Sequence, residues 1–388
     1  MDVVGPPVKV ILSVDPIRFP LTGIGRYTYE LARGLQASPS VNVTFLQGYR
    51  LHQQLPQSEA QAPASRLLPL KKWAQQSVVV QELYRQIVPR IKQQAIRHFD
   101  DHVFHGPNYY LPPFQGRSVV TVHDLSVYLW PECHPPERVR FMRKEIWRSL
   151  QRATVLITDT EFTRQEVAHY FNWPLDRIHA VPLAASDVFH PRTVEELRPD
   201  LTTFDLHAGA YSLYTGTIEP RKNLIVLLNA YASLPQALRT RFPLVIAGYY
   251  GWQNTTIHDL IQKGQQQGWL RYLGYVPDAV LPNLMAGARI FAFPSLYEGF
   301  GLPVLEAMAS GIPVLCSSAS TLPEVAGTAA AFHEPNDVEQ LTRLLQQGLE
   351  DESWRAAAST AGLAQANKFS WARCIQQTLD VYTTVEQT

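Results

Sequence analysis

Two glutamates, Glu298 and Glu306, stand eight residues apart in PSLYEGFGLPVLEAMASGIPV (294–314), with Gly299, Gly301 and Pro303 between them. The strand-like run RIFAFPS precedes them. Pro303 suits a first helical position, and Gly311 followed by Pro313 suits a stop, so the spacing predicts a helix over 303–310. Glu298 then lies in the loop before that helix and Glu306 one turn inside it. Gly299 and Gly301 leave backbone N–H groups bare at the positive helix end, which suits a phosphate. A carboxylate at each side can accept hydrogen bonds from sugar hydroxyls. The segment therefore suits a sugar–phosphate–sugar ligand; the plainer alternative is a glycine-rich loop with a capping glutamate.

A second segment, YTGTIEPRKNLIVLLNAY, also follows a strand pattern and opens a helix, with Arg221 and Lys222 together at its start. Two cations there oppose the helix dipole unless an anion lies beside them, and a pyrophosphate fits. On this reading, neutralising either cation should spare the fold and damage anion binding. The alternative is a pair of solvated surface cations. In the first half, PLTGIGRYTYEL offers Gly23, Gly25 and Arg26 where a strand-end loop enters a helix, but Thr28 stands where a dinucleotide fingerprint needs glycine. TVHDL places His123 and Asp124 at a strand end, the position from which an open sheet presents polar groups to a cleft. No Asp-x-Asp pair and no His/Asp/Glu cluster at ligand spacing occurs, so no metal or other cofactor is expected, and Arg221 with Lys222 would carry the phosphates.

Short apolar runs rich in β-branched residues alternate with helical patterns along the chain. The strands are expected at 8–14, 41–46, 102–106, 118–124, 154–159 and 178–184, then at 211–217, 243–248, 271–276, 289–295, 312–318 and 329–334. Fully apolar strands need cover on both faces, which means parallel βαβ sheets. The polar stretch at 191–206 reads as a linker between two doubly wound domains. The tail WARCIQQTLDVYTTV reads as a helix with Trp371, Ile375, Leu379 and Tyr382 on one face.

The composition, 46% hydrophobic and 18% charged over 388 residues, is that of a globular chain of about two domains. No 18-residue uncharged apolar run occurs, the N-terminus lacks the basic start of a signal peptide, and the three cysteines are scattered. A cytoplasmic location fits these features. Net charge is zero overall, yet residues 1–194 hold 22 Lys+Arg against 16 Asp+Glu, which is +6. Basic residues concentrate in 66–97 and 138–152, the first beside Trp73 and the Ser77–Val80 run. They read either as solvated helix faces or as a peripheral contact with anionic lipid on the inner face of the membrane. Nothing suggests nucleic-acid binding.

These segments resemble the retaining glycosyltransferases of family 4, with the GT-B fold. The likeness is dense in YTGTIEPRKN, LVIAGYYGW, the run from 272 to 314 and STLPEVAGTAAAFHEPND, and looser in GIGRYTYEL, VTVHDL and LITDTEFTRQEVAHYF. Glu298 and Glu306 match that family's E-x7-E motif. The resemblance implies two Rossmann-like domains facing a cleft: residues 1–190 for the acceptor, 191–370 for the donor, and the helix near 371–388 packing back on the first. It implies that Glu298 meets hydroxyls of the transferred hexose and that Glu306 meets the ribose. Gly216 and the backbone of Gly299, Phe300, Gly301 and Leu302 would line sugar and diphosphate, Arg221 and Lys222 would hold the leaving diphosphate, and Gly25 with Arg26 would form a loop over the donor phosphates. His123 would sit at the 6-hydroxyl side of the sugar, Tyr275 and Val276 would meet the base, and Asp124 would face the acceptor.

The implied reaction is metal-independent transfer of a hexose, with retention, from a nucleotide sugar to a lipid-linked oligosaccharide in surface-polysaccharide synthesis. UDP-glucose is the expected donor, with GDP-mannose as the alternative. A dinucleotide oxidoreductase, a sugar-nucleotide epimerase or phosphorylase, and a non-catalytic sugar-binding protein are the competing classes. Thr28 counts against the first, and the Glu298–Glu306 pair following Arg221–Lys222 counts against the second. Donor hydrolysis by purified protein would separate the third.

Overall fold

The computed structural model describes residues 6–21, 23–56 and 89–387, so most of the basic segment 66–97, with Trp73 and Ser77–Val80, lies outside the described residues. Two sheets organise the chain. The first is ordered β3-β2-β1-β4-β5-β6-β7, built from β1 (Val8–Ser13), β2 (Val41–Gln47), β3 (Arg50–His52), β4 (Val103–Gly106), β5 (Ser118–Thr121), β6 (Val155–Thr158) and β7 (Ile178–Ala180). The second is ordered β10-β9-β8-β11-β12-β13, built from β8 (Ser212–Thr215), β9 (Leu244–Ala247), β10 (Leu270–Gly274), β11 (Ile290–Phe293), β12 (Val314–Ser317) and β13 (Ala331–His333). Every described pairing is parallel except β2 with β3. Consecutive buried residues such as Val10, Ile11 and Leu12 in β1, or Leu213 and Tyr214 in β8, are the mark of strands covered on both faces.

Both sheets reverse their winding beside their first strand, between β1 and β4 and between β8 and β11. In open α/β sheets that switch point, at the carboxyl ends of the strands, is where ligands bind. The loops that leave β4, β5 and β8 carry Asn108–Tyr109, His123–Asp124 and Gly216–Lys222, so topology brings these groups to one crevice, and the loop that leaves β11 carries Glu298, which meets Lys222.

The stretch at 191–206 is not a featureless linker. Val194–Thr203 is a helix closed by a capping box: Thr193 Oγ1 accepts from the Glu196 N–H, and Glu196 accepts from the Thr193 N–H at 2.8 Å. Its buried Leu197 and Leu201 join the core of the second half. The terminal helix Trp371–Gln387 lies against the helix Gly23–Ala37, β1 and β4, all in the first half. There the buried Tyr382 hydroxyl is 2.6 Å from His105 Nδ1.

Candidate active site

The crevice between the sheets is a cavity of about 340 Å³. One wall carries His123, Asp124, His134 and Arg138; the other carries Gly216, Glu219, Arg221, Lys222 and Trp252. A second depression, along Glu334–Glu339, carries three carboxylates and no cation, and holds none of the residues singled out above.

The cations are set by a tight turn. Pro220–Lys222 is a single 3₁₀ turn, and Asn223 follows in the left-handed region at φ 55°, which separates that turn from the helix Leu224–Ala232. The turn directs Arg221 inward, where it is buried rather than solvated. Its guanidinium donates to Glu219 Oε1 at 2.7 Å, to the Tyr297 carbonyl at 2.5 Å and to Glu298 Oε2 at 3.4 Å. Lys222 Nζ donates to Glu298 Oε1 at 2.5 Å. Burial would raise the Glu298 carboxyl, but Lys222 and Arg221 outweigh it and hold the group below the usual range. These contacts overturn the expectation that Arg221 can be neutralised without harm to the fold, because Glu219 is itself buried and depends on it.

Glu306 lies in the helix Leu302–Ala309, one residue earlier at each end than the spacing predicts. It is buried, and burial pushes its carboxyl up to about 7, with Arg26 opposing and Asp278 adding to the rise. The helix Gly23–Ala37 begins at Gly23, so Gly25 and Arg26 sit in its first turn rather than in a loop. Arg26 reaches across the crevice to Asp278, with Nη2 and Oδ2 3.9 Å apart. Tyr275 is half exposed and stacks on Tyr249 with centroids 4.9 Å apart, whereas Val276 is buried in the core.

His123 is held at both nitrogens. Nδ1 faces Asp159 Oδ2 at 2.7 Å, and Nε2 faces the Pro107 carbonyl at 2.8 Å. Burial disfavours its charge, but the carboxylate and the carbonyl raise its pKa, as two oxygen acceptors require of an imidazolium. Both ring nitrogens are therefore spent on the protein in this arrangement. Asp124 accepts from the Ser126 N–H at 2.8 Å; burial alone would raise it, but Arg221 and that hydrogen bond bring it below the usual range.

The glycines do more than bare N–H groups. Gly301 caps the helix Leu302–Ala309 at φ 99°, a conformation that favours glycine. At Gly299 a Cβ would lie 2.1 Å from the His123 carbonyl oxygen, so this glycine is one place where the two halves touch. Phe300 turns its ring into the core, edge-on to Phe369 at 5.9 Å. Further contacts join the halves. Tyr297 donates to Glu166 at 2.6 Å and accepts from the Leu125 N–H, and the Glu324 carboxylate accepts the Glu161 and Phe162 N–H groups at 2.8 and 2.9 Å.

Comparison with known proteins agrees with this architecture. Family models described as "Glycosyltransferase Family 4" and "Glycosyl transferases group 1" match residues 21–185 and 207–365. The chain is 44% identical, over 96% of its length and 99% of the relative's, to an O-antigen chain mannosyltransferase B of Escherichia coli. The chain belongs to the family-4 glycosyltransferases. It is also 31% identical to the serotype-specific mannosyltransferase WbdA of Escherichia coli over 70% of this chain and 34% of that protein. Among solved structures, a sucrose-phosphate synthase from Thermosynechococcus elongatus superposes with a TM-score of 0.70 at 19% identity, covering 97% of this chain and 98% of that one, which establishes the GT-B fold.

The expectation of UDP-glucose as donor falls on this comparison, because a relative that matches over 96% of the chain is a mannosyltransferase. For this family-4 glycosyltransferase, reading the sequence missed Glu219, Asn108, Tyr109, His134, Arg138 and Trp252, all of which line the cavity. Glu219 and Trp252 had a usable signal: each follows a strand end of the second sheet. His134 closes the short turn Pro131–Cys133 and Arg138 stands in the first turn of the helix Pro136–Leu150, where no spacing rule points to a cleft. Among the described residues no group of three or more His, Cys, Asp or Glu side chains is arranged to hold a metal ion, and no helix is long and apolar enough to cross a membrane.

Proposed function

We propose that this glycosyltransferase moves mannose from GDP-mannose, with retention at the anomeric carbon, to a sugar hydroxyl of a lipid-linked chain of the O-antigen type. The observation that carries the reading is the 44% identity to an O-antigen chain mannosyltransferase through both halves of the crevice. The site chemistry supports it. Arg221 is fixed by three acceptors, while Lys222 lies over the Phe293 ring at 5.3 Å and has Glu298 as its hydrogen-bond acceptor. A donor diphosphate competes for Lys222, which frees Glu298 for the hydroxyls of the transferred sugar. As the anomeric C–O bond to phosphate breaks, both cations face the charge that grows on the leaving oxygen. Such preorganised donors are worth about 10²–10³ in rate each. The acceptor oxygen attacks from the same face, and its proton passes to the departing phosphate, so atoms balance without a protein nucleophile. With the cations doing this work, activity is expected to persist in EDTA.

The lipid-linked acceptor implies peripheral contact with the membrane surface, for which the helix Pro136–Leu150 offers the exposed Trp147. A thermal-shift panel of nucleotide sugars tests the donor. GDP-mannose should give the largest shift, near 2.7 kcal/mol at about 100 times its dissociation constant. A larger shift with UDP-sugars overturns this reading.

A further inference from the structure

The crevice holds polar groups that the donor chemistry leaves unused. His134 is 3% exposed and lines the cavity, yet neither ring nitrogen has a hydrogen-bond partner among the described residues. Glu219 is 2% exposed; Arg221 occupies Oε1, and Oε2 has no partner among the described residues. Asn108 Oδ1 is likewise buried and unpartnered. These atoms come from three separate loops and both halves of the molecule, yet they meet in one cavity. Buried polar atoms are nearly always paired, so three such side chains around one space mark a place built for hydroxyls from outside.

Geometry adds an apolar wall. Trp252 reaches over from the second half, donates its indole N–H to the Cys133 carbonyl at 2.9 Å and lies 6.4 Å from the His134 ring, centroid to centroid. Arg138, from the same wall as His134, lies over the Trp252 ring, 5.2 Å from its centroid. An indole beside hydroxyl acceptors and donors suits a pyranose, which has apolar C–H faces and a polar rim. Burial and Arg138 disfavour charge on His134, so its ring offers one donor and one acceptor, the pair that a single sugar hydroxyl or a vicinal diol needs.

We infer that His134, Asn108 and the free oxygen of Glu219, closed over by Trp252, form the subsite for the accepting sugar. The inference rests on the proposed function for its ligand class and goes beyond it in naming the acceptor residues. Glu219 thereby links the two substrates, with one oxygen on Arg221 at the leaving group and the other at the acceptor. Changing Glu219 would disturb both, so the test uses His134→Gln, His134→Ala and Asn108→Ala.

The probes are methyl α-mannoside and a short panel of other methyl glycosides, added to GDP-saturated protein and read by ligand-observed NMR. At least one glycoside should bind wild type, with affinity about tenfold weaker in each alanine variant and partly restored in His134→Gln. The GDP-induced melting shift should be kept in all three. Unchanged glycoside affinity in variants that melt like wild type overturns the subsite, and so does loss of the GDP shift together with glycoside binding, which would place these residues at the donor. Glycoside binding does not depend on which nucleotide sugar the enzyme consumes. Failure of the mannosyl-donor reading therefore shows as a missing GDP shift in wild type, separately from failure of the subsite.

Discussion

At the scale of single residues, adjacent cations carry different burdens. Arg221→Ala leaves the buried Glu219 without its partner and should cost roughly 3–5 kcal/mol of stability. Lys222→Ala leaves Glu298 with Arg221 still 3.4 Å away and should melt closer to wild type while losing most of the GDP-induced shift. Equal melting of the two apo variants would contradict this division of labour. Glu306 gives a pH signature. Between its ordinary value of 4.5 and about 7 the folded protein holds a proton that the unfolded chain has lost. This residue therefore makes stability fall as pH rises through that window, and Glu306→Gln should flatten the slope. The ionised carboxylate is the stronger acceptor for ribose hydroxyls, so guanosine affinity should rise from pH 6 to 8 in wild type and stay flat in Glu306→Gln. A wild-type profile as flat as the variant's would remove Glu306 from the ribose. Glu298, Glu306, Arg221 and Lys222 were legible because glycine, proline and charge at fixed spacing advertise a strand-to-helix loop. Their burial was not legible, since Glu219 and the Tyr297 carbonyl that draw Arg221 inward meet it only in three dimensions.

At the scale of elements, the strand–loop–helix units could be read from the sequence, and their junctions less so. All twelve expected strands are present, because buried parallel strands read as continuous apolar runs. The edge strand Arg50–His52 escaped notice because it is short, polar and antiparallel, with no run of its own. The helix Val194–Thr203 hid behind its proline and polar residues, although Thr193 and Glu196 spell a capping box. The loop entering the helix Leu302–Ala309 has a second duty that glycine spacing alone does not show. Gly299 lets the β11 loop touch the end of the β5 segment, and a Cβ there meets the His123 backbone at 2.1 Å. Backbone cannot give way as a flexible side chain can. Gly299→Ala should therefore hold the halves apart, with transfer falling about 10²-fold and a larger radius of gyration in solution scattering, while each half keeps its fold. Wild-type activity and dimensions in that variant would show that the contact is not needed for catalysis.

At the scale of the whole molecule, two sheets, a helix that crosses back and a set of inter-half contacts make one crevice out of two folds. The terminal helix fixes the helix that carries Arg26: Ile375 fills the space beside Gly34, and Tyr382 meets His105. Charge at this scale is less free than the sequence suggests. In 138–152, Arg143 donates to the Val127 carbonyl, Arg152 to that of Leu111, Arg148 pairs with Glu145 and Arg138 lies over Trp252. Sedimentation with anionic vesicles should thus depend on Trp147 as well as charge, weaken in Trp147→Ala, and fade near 0.1 M salt, where screening acts over ~10 Å. Equal sedimentation with neutral vesicles would contradict the electrostatic part. Mannosyl transfer driven by the protein's own cations is tested by following labelled sugar to a lipid-linked saccharide from GDP-mannose, UDP-glucose and UDP-galactose in turn, in EDTA, with wild type and Lys222→Ala. Transfer is expected from GDP-mannose alone, unaffected by the chelator and largely lost in the variant; transfer from a UDP-sugar instead, or full dependence on added metal, would overturn the donor and the role of the cations respectively.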